Sequence, residues 1–311
     1  MTDELSYADI DAAAERIAGL VRPITLAPAE PAGELWLALE FLQHTGSFKA
    51  RGAANFVEAH HASGALPAAG VTIASGGNAG LACAWAAARR SVPATVFLPA
   101  TAPAVKIERL RSYGARVRLE SDYPAAAAAS RAFAAESGAL MSHAYDHPLI
   151  TAGAGTLLTE IHQALPDLDT IVVAAGGGGL FAGIATAAAK HGIRTVAVEP
   201  EHCRALNAAL DAGHPVDVEI DSIAADSLGG PRATEMAIRA AQLGDTVSVL
   251  VTDEQIVAAR RALWQERRMA VEHAAATALA ALRTGAYRPA ADERVCVVLC
   301  GANTDPADLT P

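Results

Sequence analysis

A lysine beside an aromatic ring is the first candidate for chemistry in this sequence. Lys49 sits in His44-Thr45-Gly46-Ser47-Phe48-Lys49-Ala50-Arg51-Gly52-Ala53, with a Gly-Ser turn ahead of it. Partial burial disfavours the ammonium and lowers the lysine pKa, which makes the amine a nucleophile and a base. Most lysines are plain surface charges, and the tripeptide Ser47-Phe48-Lys49 fits that reading too. The surrounding chain has to decide between them.

Three glycine-bearing loops follow strand-like runs, where ligands of α/β sheets bind. The first, Ser75-Gly76-Gly77-Asn78-Ala79-Gly80, can close its backbone on an anion at a helix start, or be an ordinary turn with an Asn cap. The second, Gly176-Gly177-Gly178-Gly179-Leu180, follows Ile171-Val172-Val173-Ala174-Ala175. Four consecutive glycines cost backbone entropy on ordering, so a phosphate cradle is the better reading than a linker. A rival reading exists. Gly177-x-Gly179-x-x-Ala182 fits a dinucleotide fingerprint, and Glu199 lies about 20 residues on, where a ribose-binding acid belongs. The third loop is Leu299-Cys300-Gly301-Ala302-Asn303-Thr304. Its thiol is either a weak donor to a heteroaromatic nitrogen or a small buried residue before a turn.

These residues need a frame. A chain of 311 residues can bury a sizeable core in one large or two smaller domains. Its 52% apolar and 19% charged content excludes a disordered chain. A net charge of −10 with no basic patch argues against nucleic acid. No apolar run reaches the roughly 18 residues of a membrane span, and the acidic start Met1-Thr2-Asp3-Glu4-Leu5 is unlike a signal peptide. Cys83, Cys203, Cys296 and Cys300 lack zinc spacing and read as reduced cytosolic thiols.

Along the chain, Ser6 and Asp9 form a capping-box start for a helix with Ile10, Ala14, Ile17 and Val21 on one face. Strands are expected at Leu35–Leu39, Val71–Ala74, Ala94–Leu98, Ala115–Leu119, Ala139–Ser142, Thr170–Ala175, Thr195–Glu199, Thr246–Val251 and Val295–Cys300. Helices are expected at Ala79–Arg90, Pro103–Tyr113, Pro124–Ser137, Ala154–Leu165 and Leu180–His191. One more starts at Thr252 and Gln255, and an alanine-rich one precedes the last strand; Cys203–Gly244 reads as irregular. Strand-helix alternation predicts parallel sheets wrapped by helices, restarting near His143–Gly155 as two units.

Together these stretches resemble the fold-type II pyridoxal-phosphate enzymes, specifically the serine/threonine dehydratase and serine racemase family. The resemblance runs from about Leu20 to Asp305. It is carried by Gly46–Ala53, Ser75–Gly80, Gly176–Gly179, Val198-Glu199-Pro200, Val271-Glu272 and Cys300–Asn303, with support from Ala102–Lys106 and Asp226–Gly229. It implies an α/β fold of two three-layer αβα domains with parallel sheets, like the tryptophan synthase β chain. Residues 1–48 and 146–311 would form a large cofactor domain, and 49–145 a small domain carrying the substrate-carboxylate loop. The implied activity is dehydration and deamination of L-serine, L-threonine or a related β-hydroxy amino acid to a 2-oxo acid and ammonia, by a cytoplasmic homodimer.

The resemblance also implies roles. Lys49 would hold pyridoxal 5'-phosphate and then serve as base, with Phe48 behind the ring. Gly176, Gly177, Gly178, Gly179 and Leu180 would bind the phosphate, and Asn78 the ring 3'-oxygen. Ser75, Gly76, Gly77, Asn78 and Ala79 would grip the substrate carboxylate. Cys300 would face the pyridine nitrogen, and Glu272 would lie near the ring. A neutral thiol there leaves the ring a weaker electron sink, which favours elimination and raises Cys300 above the plain reading.

Departures from the family pattern sharpen the expectation. Gly76 stands where racemases carry a second serine as the opposite-face base, so racemisation should be poor. Ala79 stands where many threonine dehydratases have histidine. Ala205 takes the place of an acid in the family's cation site, which predicts no structural metal and leaves Glu199 a weak surface carboxylate. His44 and His273 also depart from the pattern and read as non-catalytic. No allosteric regulatory domain is expected after the third loop. Groups facing the β-substituent are expected in Cys203–Gly244 and Ala144–Gly155. An NAD-dependent oxidoreductase using Gly177, Gly179 and Glu199, a β-replacement synthase and a racemase of the same fold are the alternatives.

Overall fold

The computed structural model describes residues 5–29 and 34–309, so the acidic start at residues 1–4 lies outside the described residues. The elements in order are α1 (Tyr7–Ile17), β1 (Leu26–Pro28), β2 (Leu35–Ala38), α2 (Lys49–Ala62), β3 (Val71–Ile73), α3 (Asn78–Arg89), β4 (Ala94–Pro99), α4 (Ala104–Ser112), β5 (Arg116–Glu120), α5 (Tyr123–Ser137) and β6 (Leu140–Met141). They continue with α6 (Pro148–Ala164), β7 (Thr170–Ala174), α7 (Gly179–His191), β8 (Arg194–Pro200), α8 (Ala205–Ala212), α9 (Ala225–Leu228), α10 (Glu235–Leu243), β9 (Thr246–Val251), α11 (Asp253–Arg267), α12 (His273–Thr284) and β10 (Val295–Val298).

The strands form two sheets, a six-stranded one in the order β1-β2-β10-β7-β8-β9 and a four-stranded one in the order β5-β4-β3-β6. All pairings are parallel except β1 with β2. Parallel strands covered by helices read as continuous apolar runs, and β7 is buried at every residue. The α/β class with parallel sheets is the expected one. Each sheet has its own core: Ile171, Val173, Phe181, Ile184 and Val297 belong to the first, and Val71, Val96, Leu81 and Phe56 to the second.

Three stretches differ from expectation. The sequence pattern does not predict helix α2: Arg51, Asn55 and Glu58 interrupt its apolar period, yet Ala50–Glu58 is buried throughout. Helix α6 begins at Pro148, well before Ala154, with the His147 ring nitrogen capping Leu149 N–H. Gly153 and Gly155 hide its periodicity, and close packing requires them: a Cβ on Gly153 would lie 2.7 Å from the Arg51 carbonyl. The stretch 203–244, irregular by its sequence pattern, holds the short helices α8, α9 and α10, the last capped by Thr234 Oγ1 on Ala237 N–H.

The start of α2 is tied down by charge. Arg51 is fully buried; its Nε donates to Glu40 Oε1 at 2.7 Å and its Nη1 to Glu160 Oε1 at 2.6 Å. Burial alone would lower the Arg51 pKa, but the two carboxylates outweigh it and raise it, so the cation persists. Removing one member of such a cluster strands the others uncompensated and costs about 3–5 kcal/mol. Arg51→Ala should therefore lower the urea-unfolding free energy by about that amount. A change below about 1 kcal/mol would show that the cluster does not hold α2.

Candidate active site

The carboxyl ends of β2, β10 and β7 lie side by side, because Val298 pairs with Ala38 and Val297 with both Leu37 and Val172. The loops that follow zip together: Ser47 bridges Gly301, Phe48 N–H donates to the Cys300 carbonyl at 3.0 Å, and Ala302 N–H donates to the Gly46 carbonyl at 2.9 Å. Lys49 is the first residue of α2. These bonds bring it to a cavity of about 360 Å³ lined by all three predicted loops.

Within that wall Lys49 Nζ donates to the Ala144 carbonyl at 2.6 Å and lies 4.6 Å from the centre of the Phe48 ring. Desolvation lowers its pKa to about 8, opposed by its nearness to Cys300 and Glu272. Glu272, 3% exposed, accepts two bonds from Asn78 Nδ2 at 3.0 and 3.1 Å. Burial raises its carboxyl to about 7 against the pull of Asn78. Asn78 Oδ1 accepts from Asn303 Nδ2. Burial, then the nearby Glu272, push the Cys300 thiol far up, so it stays neutral.

Two helices open on the cavity with glycine N-caps and no side-chain cap, α3 behind Gly77 and α7 behind Gly178. Their free N–H groups are sites for anions. The tetraglycine loop admits no side chain. Gly178 has φ +96°, and a Cβ on Gly177 would fall 2.3 Å from the Tyr145 ring. Every predicted site residue lines this cavity: Phe48, Lys49, Ser75, Gly76, Gly77, Asn78, Ala79, Gly176, Gly177, Gly178, Gly179, Leu180, Glu272 and Cys300. Ala144 and Ala225–Leu228, from the two stretches expected to face the substrate, line it too.

Tyr123 and Tyr145 also line the cavity and were not singled out from the sequence. A lone tyrosine in a loop or a first helical turn carries no spacing signal. Glu199 corrects an expectation. It is fully buried rather than at the surface, and accepts from Leu206 N–H and Asn207 N–H at 2.8 and 2.7 Å. Its carboxylate caps α8, is raised to about 8 by burial, and is not free to grip a ribose. Among the described residues no group of three or more His, Cys, Asp or Glu side chains is placed to hold a metal ion.

Residues 17–301 match the family described as pyridoxal-phosphate dependent enzyme. The chain belongs to that family, and its cofactor is pyridoxal 5'-phosphate. An L-threonine ammonia-lyase of Geobacter sulfurreducens is 38% identical over 313 residues, covering 97% of this chain and 76% of the relative. A phenylserine dehydratase of Ralstonia pickettii is 35% identical over 271 residues, covering 86% of this chain and 82% of the relative. The structure of maize serine racemase superposes with a TM-score of 0.87 at 28% identity, covering 97% of this chain and 94% of that one. The site fits the cofactor: an uncapped helix end behind a side-chain-free loop suits a phosphate, and a lysine of lowered pKa suits an aldehyde.

The amine reacts only when neutral, which fixes the pH dependence. In cofactor-free protein the rate of Lys49 modification by pyridoxal phosphate, followed by absorbance, should rise about tenfold per pH unit and level off near pH 8. Levelling only above pH 10 would show an unperturbed lysine.

Proposed function

We propose that the chain is a pyridoxal-phosphate-dependent ammonia-lyase that converts L-serine, L-threonine or a related β-hydroxy amino acid to a 2-oxo acid and ammonia. The observation that carries this reading is a single lysine of lowered pKa facing the glycine cradle, with no side chain at Gly76. The names of the ammonia-lyase and dehydratase relatives support the same reaction.

In this reading Gly176–Leu180 hold the phosphate on the α7 N-terminus, and the Ser75–Ala79 backbone holds the substrate carboxylate on the α3 N-terminus. Bound pyridoxal phosphate supplies the electron sink for the Cα–H bond pair. Phe48, Asn78 and Cys300, which line the same cavity, would back its ring, contact its 3'-oxygen and offer a neutral thiol to its nitrogen. Lys49 Nζ, beside the same carbon, takes the α-proton without a diffusive search. The Ala144 carbonyl orients the amine in the meantime. The β-hydroxyl leaves with a proton as water, and a water molecule then hydrolyses the carbon–nitrogen bond of the eliminated product, giving the 2-oxo acid and ammonia.

Gly76 leaves the opposite face of the substrate without a base. A Cβ there would lie 2.8 Å from Leu98 Cδ2, so a side chain fits only if Leu98 moves. The division into a unit of residues 1–48 and 146–311 and one of 49–145 belongs to this reading, supported by the two sheets. A cytoplasmic homodimer does as well. Four free, buried cysteines suit a reducing compartment, and no helix among the described residues is long and apolar enough to cross a membrane.

The test is 2-oxo acid release from a panel of L-amino acids. Lys49→Ala should lose at least a hundredfold in turnover, and borohydride should fix the cofactor on Lys49 in the parent protein. Turnover at the parent rate in Lys49→Ala would remove this reading. D-serine formed from L-serine should stay below about one part in a hundred of pyruvate, and comparable rates would show a second base that Gly76 cannot supply.

A further inference from the structure

Lys49 is aimed by a backbone atom. Its Nζ donates to the Ala144 carbonyl at 2.6 Å, and Ala144 lies in the segment that carries the chain from β6 to α6. A carbonyl in a connecting segment keeps its direction only if something holds the peptide unit it belongs to. The other end of that unit is the Tyr145 N–H. The peptide is trans, so the carbonyl and the N–H point to opposite sides.

His143 holds that other end. Its Nδ1 accepts from Tyr145 N–H at 3.3 Å and from Asp146 N–H at 2.8 Å. A ring nitrogen that faces two N–H donors carries no proton of its own, so the ring is the neutral tautomer with its hydrogen on Nε2. Burial lowers the ring's pKa from 6.5, Asp146 opposes the fall, and Lys49 adds to it. The ring is therefore neutral near pH 7. It is also braced, meeting the Tyr145 ring edge-on at 5.1 Å and 84°, while the Tyr145 ring packs on Gly177. Both flanks of the turn are tied down. Ser142 N–H donates to the Thr72 carbonyl at 2.9 Å, and Thr151 Oγ1 donates to the Tyr145 carbonyl at 3.2 Å.

We propose that His143 is a positioning residue for Lys49: its bare Nδ1 fixes the peptide between Ala144 and Tyr145, and the Ala144 carbonyl at the far end of that peptide aims the amine. His143 is not one of the described residues that line the cavity, so it acts through this peptide and not on a ligand. The inference rests on Lys49 as the residue that takes the cofactor, whichever amino acid is turned over. Were the peptide to flip, it would present an N–H to Nζ in place of a carbonyl oxygen, and the amine would swing to another partner. Misplacing a reacting group by about 1 Å costs on the order of a hundredfold in rate. A loss of aim that leaves Lys49 in the same wall costs part of that.

The test changes one property of the side chain at a time. His143→Asn keeps an acceptor at the same reach and removes the ring; His143→Phe keeps a ring against Tyr145 and removes the acceptor. Cofactor-free protein is treated with saturating pyridoxal phosphate above the Lys49 pKa of about 8, so that protonation of the amine is not what differs. The limiting rate of Lys49 modification should fall about tenfold in His143→Phe and stay within about threefold of the parent in His143→Asn. A residue that only packs gives the reverse order. Nitrogen NMR of histidine-labelled parent protein near neutral pH, with His143→Asn identifying the signal, should show an unprotonated Nδ1, and this arm stands even where His143→Phe does not fold. A protonated Nδ1, a Phe variant as fast as the parent, or an Asn variant as slow as the Phe one would overturn the proposal. Modification needs no amino acid, so a failure of 2-oxo acid release strikes the dehydratase reading and leaves this comparison to decide the role of His143.

Discussion

The guanidinium of Arg51 joins Glu40, just after β2, to Glu160 on α6, and does so two residues beyond Lys49. A lysine has four rotatable methylenes and would ordinarily carry its charge to water. Here the ion cluster pins the helix start, and the Ser47–Gly301 bridge pins the residues ahead of it. The amine is thereby kept inside the cavity wall, and its pKa falls because it is kept there. Its place at the head of α2 adds to the effect, since a helix N-terminus disfavours positive charge. Reactivity at one atom thus depends on a salt-bridge cluster that never touches the substrate.

Helix starts in this fold are capped in two ways. Ser6, Asp122, Thr234 and Thr252 cap α1, α5, α10 and α11 with side-chain oxygens. Helix α5, whose Tyr123 also lines the cavity, keeps its Asp122 cap, whereas the two cavity helices behind glycine N-caps, α3 and α7, have no side-chain cap bond. Their N–H groups are left to a ligand, at a cost of about 1 kcal/mol for each missing cap. The fold gives up helix stability at the two starts where anions are proposed to bind.

Much of this could be read from residues alone. The tetraglycine loop, the Ser75 loop and the lysine each pair a composition with a place after a strand, and the structure puts all three on one cavity. Local pattern failed where tertiary packing sets the composition. In α2 the buried face includes Arg51, Asn55 and Glu58, whose partners lie on other elements, so no apolar period survives. The burial of Glu199 follows from α8 folding back over it, and the presence of Tyr123 and Tyr145 on one cavity follows from elements far apart in the chain meeting there. Neither relation leaves a spacing in the sequence.

Charge raises a last question, because a chain of net charge −10 must hold an anionic cofactor and a substrate carboxylate. Net charge acts at long range and is screened beyond about 8–10 Å in physiological salt, whereas binding is decided inside the cavity. There the carboxyl of Glu272 is raised to about 7 and the Cys300 thiol stays neutral. Neither adds a full negative charge near neutral pH. The helix ends behind Gly77 and Gly178 contribute positive potential without a mobile cation. Lys49 is the one lysine among the residues lining the cavity, and a second lysine beside it would compete for the same aldehyde. Attracting anions with backbone dipoles leaves the chemistry to a single amine.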